Sequence, residues 1–151
     1  MGILYFAYGS NMSRERMNER NVNIIGERIA FIKGYKIVFN KKANKNGEGY
    51  ANIIPSENSV AYGVLYEIDK DDIRKLDRCE GTPYHYERKR MEVNLQDGTS
   101  IECEVYIANE NKIGSNLKPS QKYLNCLIIG AKEHNFPEGY IKFLKNIETI
   151  R

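Results

Sequence analysis

The stretch Leu4-Tyr5-Phe6-Ala7-Tyr8-Gly9-Ser10-Asn11-Met12 places the tightest constraint on how this chain folds. An apolar, aromatic run breaks at Gly-Ser-Asn, and a charged, helix-compatible segment, Ser13 to Arg20, follows at once. That order reads as a strand, a tight turn and a helix start. The run lacks polar alternation, so both faces of the strand should be covered, as in a barrel or a sandwiched sheet. Gly9 lets the backbone bend where a Cβ would clash, and Ser10, Asn11 or Ser13 can cap the helix. A turn of this kind serves either as a plain connection or as a cradle of unpaired N–H groups for a carboxylate or oxyanion.

The rest of the chain reads as strands followed by helices. Residues 27–40 form a strand pair or one long bent strand: Ile29 and Phe31 alternate with polar neighbours, as do Tyr35, Ile37 and Phe39, around a kink at Lys33-Gly34. Residues 41–49 are polar and Gly-containing, the expected most mobile turn. Tyr50 to Ile54 is a short strand stopped by Pro55, and Val60 to Ile68 another, in which Gly63 marks a bulge or a close approach. Asp69 caps a helix whose first turn carries Asp71 and Asp72, where the helix dipole favours them, with Ile73 and Leu76 as its buried stripe. Gly81 suits the left-handed closing position and Pro83 prevents resumption, so Glu80 falls at the helix end. A carboxylate there costs roughly 0.3–1 kcal/mol against the dipole.

Segments 86–95 and 99–108 alternate cleanly about Gln96-Asp97-Gly98, a hairpin. Residues 109–118 are a loop. Pro119-Ser120 then opens a helix to about His134, and Pro137 another to about Ile147. The order points to an α+β protein, a curved sheet or small barrel with helices packed outside it.

At 151 residues the chain fits one domain, spanning 1–151, with a core of its own. No apolar run is long enough for a membrane helix, and the N-terminus lacks a secretory pattern. Cys79, Cys103 and Cys126 are odd in number and widely spaced, which fits reduced thiols in the cytoplasm. The net charge of +3 is too small to demand nucleic acid, and the basic clusters at 41–45 and 88–90 read as solvated charge. His85 and His134 lack acidic or cysteine neighbours at ligand spacing, so no metal is expected. Ser10 has no G-x-S-x-G context, and Cys79 no histidine relay. The remaining candidates are the Tyr8–Asn11 turn, Glu80, and the polar aromatics Tyr86 and Tyr123. The bland alternatives are a surface glutamate and half-buried tyrosines with locally bonded hydroxyls.

Tyr5-Phe6-Ala7-Tyr8-Gly9-Ser10-Asn11-Met12 closely resembles the opening motif of the γ-glutamylcyclotransferase family. Gly63-Val64-Leu65-Tyr66 leading to Leu76-Asp77-Arg78-Cys79-Glu80-Gly81 resembles the family's strand–helix–glutamate segment. Tyr123-Leu124 through Gly130-Ala131-Lys132-Glu133, then Pro137, Tyr140 and Leu144, resembles its closing helix pair. The resemblance implies a small mixed β-barrel with flanking helices and a C-terminal helix pair, without cofactor or metal. It implies a reaction in which a γ-glutamyl α-amine attacks its own γ-carbonyl, releasing 5-oxoproline and a free amine. Glu80 takes the position of the family's catalytic glutamate. Tyr8, Gly9, Ser10 and Asn11 take the positions that hold substrate, and Tyr86 and Tyr123 those of tyrosines near the pocket. The implied partner is a small γ-glutamyl molecule, with no nucleic acid or membrane, for a cytoplasmic monomer or homodimer. The leaving amine stays open between an amino acid, an amine such as ε-lysine, and a γ-glutamyl-protected biosynthetic intermediate, with loops 41–49, 82–85 and 109–118 deciding. A noncatalytic module that binds a γ-glutamyl ligand is the alternative of another class.

Overall fold

The computed structural model describes residues 2–150. Five strands, β1 (Gly2–Ala7), β2 (Ile24–Lys42), β3 (Gly49–Asp69), β4 (Tyr86–Leu95) and β5 (Ser100–Ala108), close into a barrel in the order β1-β3-β2-β4-β5. Neighbours are antiparallel except β1 and β5, which meet in parallel at Tyr5 and Glu104. Four helices lie around it: α1 (Arg14–Glu19), α2 (Ile73–Cys79), α3 (Gln121–Glu133) and α4 (Glu138–Lys145). The α+β barrel with a C-terminal helix pair is the architecture that the sequence implied.

Closure explains the unbroken apolar run at the start. Tyr5, Phe6 and Ala7 are all buried, as are Val64, Leu65 and Tyr66 on the strand beside them, because the barrel covers one face and the outer elements the other. At Gly63 an added Cβ would fall 2.5 Å from the Ala7 carbonyl oxygen and 2.6 Å from the Phe6 ring, so the close approach expected there is real.

Of the two forms that residues 27–40 allow, the structure has the one long bent strand: they lie within the 19-residue β2, which extends to Lys42 and bends at Gly34 (φ +79°). The reading of Pro55 needs correction, since it does not stop its strand: β3 runs 21 residues from Gly49 through Pro55 to Asp69. The register explains why. Pairing jumps from Tyr35↔Pro55 to Lys33↔Val60, leaving 56–59 as an excursion outside the ladder, clipped by the Ser56 and Ser59 hydroxyls at 2.9 Å. Pro55 is the last paired residue before this irregularity, a place where a strand tolerates proline.

The helix starts follow their caps. Ser13 Oγ accepts from the Arg16 amide, Ser120 Oγ from the Tyr123 amide, and Asp69 from the Asp71 amide, which opens a short 3-10 turn leading into α2. Gly81, with φ +64°, closes α2 as expected. The helix after Pro137 ends at Lys145, two residues short of the expected Ile147.

Candidate functional site

The turn that follows strand β1 packs against helix α3, and this contact builds the site. After Gly9 the chain enters a 3-10 turn, Ser10–Met12, that is wholly buried. The Met12 carbonyl accepts from the Tyr66 hydroxyl at 2.9 Å and from Nε2 of His134 at 3.1 Å. Gly130 lets α3 lie directly on the turn, since a Cβ there would fall 2.6 Å from the Met12 carbonyl carbon. The first amides of a helical turn have no partner within it. Those of Gly9, Ser10 and Asn11 donate to no side chain or loop carbonyl among the described residues.

A cavity of about 420 Å³ opens beside this turn, and Tyr8, Gly9, Ser10, Asn11, Glu80, Tyr86 and Tyr123 all line it. The structure thus gathers every sequence-predicted site residue around one space. Glu80 caps the C-terminus of α2, and its Oε1 accepts from Asn11 Nδ2 at 3.2 Å and from Arg20 Nη1 at 3.2 Å. Asn11 Nδ2 also donates to the Tyr5 hydroxyl at 2.9 Å, so the turn and the glutamate belong to one buried network. Oε2 of Glu80 takes no hydrogen bond among the described residues, which leaves it for a ligand. The glutamate and Arg20 side chains retain 18% and 17% exposure. Burial raises the Glu80 carboxyl above its ordinary range, and the Arg20 charge with the two hydrogen bonds only partly opposes this.

The tyrosines meet at Ala51. Tyr86 donates to the Ala51 carbonyl at 2.7 Å, whereas Tyr123 accepts from the Ala51 amide at 3.1 Å. The difference matters chemically, because Tyr123 keeps its own O–H proton to offer to the cavity. A Cβ on Gly9 would sit 3.4 Å from that hydroxyl and 3.2 Å from the Ala51 Cβ, so a glycine keeps this corner open. Burial holds the Tyr8, Tyr86 and Tyr123 phenols well above their usual range, as neutral donors.

Sequence reasoning missed Arg20 and Lys41. Arg20 lies 60 residues from Glu80 and nothing in its spacing signals the pair. Lys41 was read as solvated charge, yet it is only 5% exposed. Its ammonium donates to His85 Nδ1 at 2.9 Å and to the Lys42 carbonyl at 3.0 Å, and stands 5.9 Å from the Tyr50 and Tyr86 ring centroids. Extending the Tyr35, Ile37, Phe39 alternation one step would have turned Lys41 inward. The other basic cluster is indeed at the surface, where Arg88, Lys89 and Arg90 pair with nearby carboxylates. Segments 41–44 and residues 81 and 85 line the cavity, but loop 109–118 does not; it backs the 41–49 segment through the Lys41↔Ile113 and Glu48↔Lys118 bridges. Cys79 is exposed at the end of α2, on the cavity lining.

Residues 5–125 match the family model described as gamma-glutamyl cyclotransferase, AIG2-like. The γ-glutamylcyclotransferase of Bos taurus is 32% identical over 151 residues, an alignment covering 97% of this chain and 79% of that one. A solved structure titled gamma-glutamyl cyclotransferase superposes with a TM-score of 0.87 at 29% identity, covering 99% of this chain and 90% of that one. A yeast γ-glutamyl cyclotransferase described as specific to glutathione shares the fold at 16% identity, with a TM-score of 0.70 over 95% of this chain and 93% of its own. With the glutamate and the Gly-Ser-Asn turn on one cavity, these likenesses establish that the chain belongs to the γ-glutamyl cyclotransferase, AIG2-like family.

Proposed function

We propose that this protein converts γ-glutamyl amino acids or related γ-glutamyl amides into 5-oxoproline and a free amine, with Glu80 moving the protons. The observation that carries this reading is the Asn11–Glu80 hydrogen bond, which ties the substrate-holding turn to the carboxylate across the mouth of one cavity.

Both reacting groups belong to the same substrate molecule, so the protein's first task is to fold that molecule into attack geometry. The Tyr8–Asn11 turn receives the γ-glutamyl group. Its free amides face the charge that develops on the γ-carbonyl oxygen, a contribution of roughly 3–4 kcal/mol per donor in comparable sites. The α-amine nitrogen bonds to the γ-carbonyl carbon and gives up a proton to Glu80. The carbon–nitrogen bond to the leaving amine then breaks, and the same carboxyl returns the proton to that nitrogen. A carboxylate made more basic by burial is suited to accepting from an amine, and the Arg20 charge partly opposes that rise and so favours the ionised form. Tyr123 offers a neutral O–H beside Gly9, and Tyr86 fixes the Ala51 backbone on which that hydroxyl rests. The reaction moves only protons and an acyl group, so it calls for no metal or redox cofactor.

The same reading makes the protein a cytoplasmic enzyme of small molecules, acting without nucleic acid or membrane as a monomer or homodimer. Three free thiols accord with a reducing compartment. Among the described residues no helix is long and apolar enough to cross a membrane. Incubation with a panel of γ-glutamyl compounds, with mass-spectrometric detection of 5-oxoproline and each released amine, tests the activity. Release of 5-oxoproline by the wild type but not by Glu80→Gln is the expected result. Binding of γ-glutamyl ligands without any 5-oxoproline would instead make the protein a noncatalytic module.

A further inference from the structure

The back of the Gly-Ser-Asn turn is held more firmly than burial alone demands. Met12 ends that turn and is wholly buried. Its carbonyl takes two donors, the Tyr66 hydroxyl from β3 and His134 Nε2 from the end of α3. One donor satisfies a buried carbonyl, whereas two occupy both lone pairs and fix its direction. The grip is built into α3. Gly130 and His134 stand one turn apart on a single helix face, so the missing Cβ that lets α3 down onto Met12 lies beside the ring that holds its carbonyl. The His134 amide closes that last turn by donating to the Gly130 carbonyl at 3.1 Å. The two donors also brace each other, their ring centroids 6.0 Å apart and their planes at 83°.

Within the turn, the Met12 and Ser13 amides bond back to the Gly9 and Ser10 carbonyls at 3.0 and 3.1 Å. A hold on its last carbonyl is therefore a hold on the whole turn and on the free amides at its start. We infer that His134, with Tyr66, is a positioning residue of the reaction, gripping the Met12 carbonyl so that the Gly9–Asn11 amides stay aimed at the developing oxyanion. The inference rests on the cyclotransferase reading of this cavity. Neither His134 nor Tyr66 is on the cavity lining, so both act through the turn. The charged groups facing the histidine are Glu27 on β2, with Oε1 3.8 Å from Nδ1, Arg14 on α1, which donates to that same oxygen, and Glu133 on α3, which accepts from the Arg14 amide. The Met12 carbonyl can only accept, so Nε2 carries a proton. That proton is present on the neutral ring in this contact and on the imidazolium alike. Burial lowers the His134 pKa, with Glu27 opposing and Arg14 adding to the effect, which favours the neutral ring.

The test measures kcat and KM separately for 5-oxoproline release from γ-glutamyl-alanine, with thermal unfolding of each variant alongside. His134→Leu keeps apolar bulk and removes the donor. Its kcat should fall roughly 10-fold to 100-fold with KM little changed, because a misaimed amide is felt mainly as charge develops. His134→Gln, whose amide nitrogen can take the place of Nε2, should recover most of that kcat. It should also keep the acid limb of kcat/KM where wild type has it, since the residue grips the turn and transfers no proton. Tyr66→Phe removes the other donor, should lower kcat with KM held, and stands in if His134→Leu does not fold. Unchanged kcat in His134→Leu, or in Tyr66→Phe where it stands in, overturns the role. So do equal losses in His134→Leu and His134→Gln, a loss confined to KM, or a displaced acid limb in His134→Gln. Each of these leaves the cyclotransferase reading intact. Absence of 5-oxoproline from wild type overturns that reading and this inference with it.

Discussion

At the residue scale, Glu80 stands where ionisation is costly, with its carboxyl at the end of α2 and largely out of water. Its pKa is raised in the folded protein above the unfolded value, so the proton-linked contribution has a definite sign. Below the unfolded pKa both states hold the proton and the contribution is fully present; it is lost as pH rises through the folded pKa. Compared with Glu80→Gln, wild type should therefore lose stability as pH climbs across that window, which lies above the ordinary carboxylate range. Denaturation of the two proteins in parallel from acid to neutral pH measures it, and a difference that stays flat with pH would contradict the burial argument. Activity has the opposite dependence, because the base must be ionised. The acid limb of kcat/KM should lie above the ordinary carboxylate pKa, and Arg20→Met, which removes the opposing positive charge, should move it to higher pH still. A limb that stays in place in Arg20→Met would mean that another group sets it.

At the element scale, the site depends on how closely α3 lies on the turn after β1. Gly130→Ala would place a methyl against the Met12 backbone, where neither partner is the flexible end of a side chain. Overpacking of this kind costs about 1–3 kcal/mol, and the displaced turn should lower activity beyond what the stability loss explains. Thermal unfolding and 5-oxoproline release on the same variant check both parts. Much of this scale was legible in the sequence. Caps at Ser13 and Ser120, the Asp-Gly hairpin and the Gly81 stop are local chemistry, and local chemistry can be read from neighbours. Pro55 misled because its tolerance depends on a register jump against β2, a long-range fact. Lys41 misled because a lysine pair after a strand reads as surface unless the inward alternation is followed through it.

At the scale of the whole molecule, barrel closure brings together residues that the chain keeps apart: Asn11 from the first turn, Arg20 from the end of α1, Glu80 from the end of α2, and Tyr123 from α3. The resemblance identified Glu80 and the turn as counterparts, but Arg20 carries no signal in sequence because only the closed barrel sets its partner. The barrel is not uniformly paired. The β2–β3 ladder runs nearly the full length of both strands, whereas β2 meets β4 only at Ala30↔Leu95 and Phe31↔Asn94, and β1 meets β5 at Tyr5↔Glu104. Amide exchange should accordingly be slowest in the central β2–β3 ladder and faster at these two seams, with the β4–β5 hairpin opening as a unit. Uniform protection around the barrel would contradict this.

The central claim, that the turn and Glu80 are two walls of one cyclising site, meets its most direct test in one paired measurement. Wild type and Glu80→Gln are given the same γ-glutamyl amino acid, and 5-oxoproline release is followed alongside ligand affinity. The account predicts that Glu80→Gln binds the substrate comparably and loses at least about 100-fold in turnover, the lower range for loss of a general acid–base. Turnover within a few-fold of wild type would contradict it.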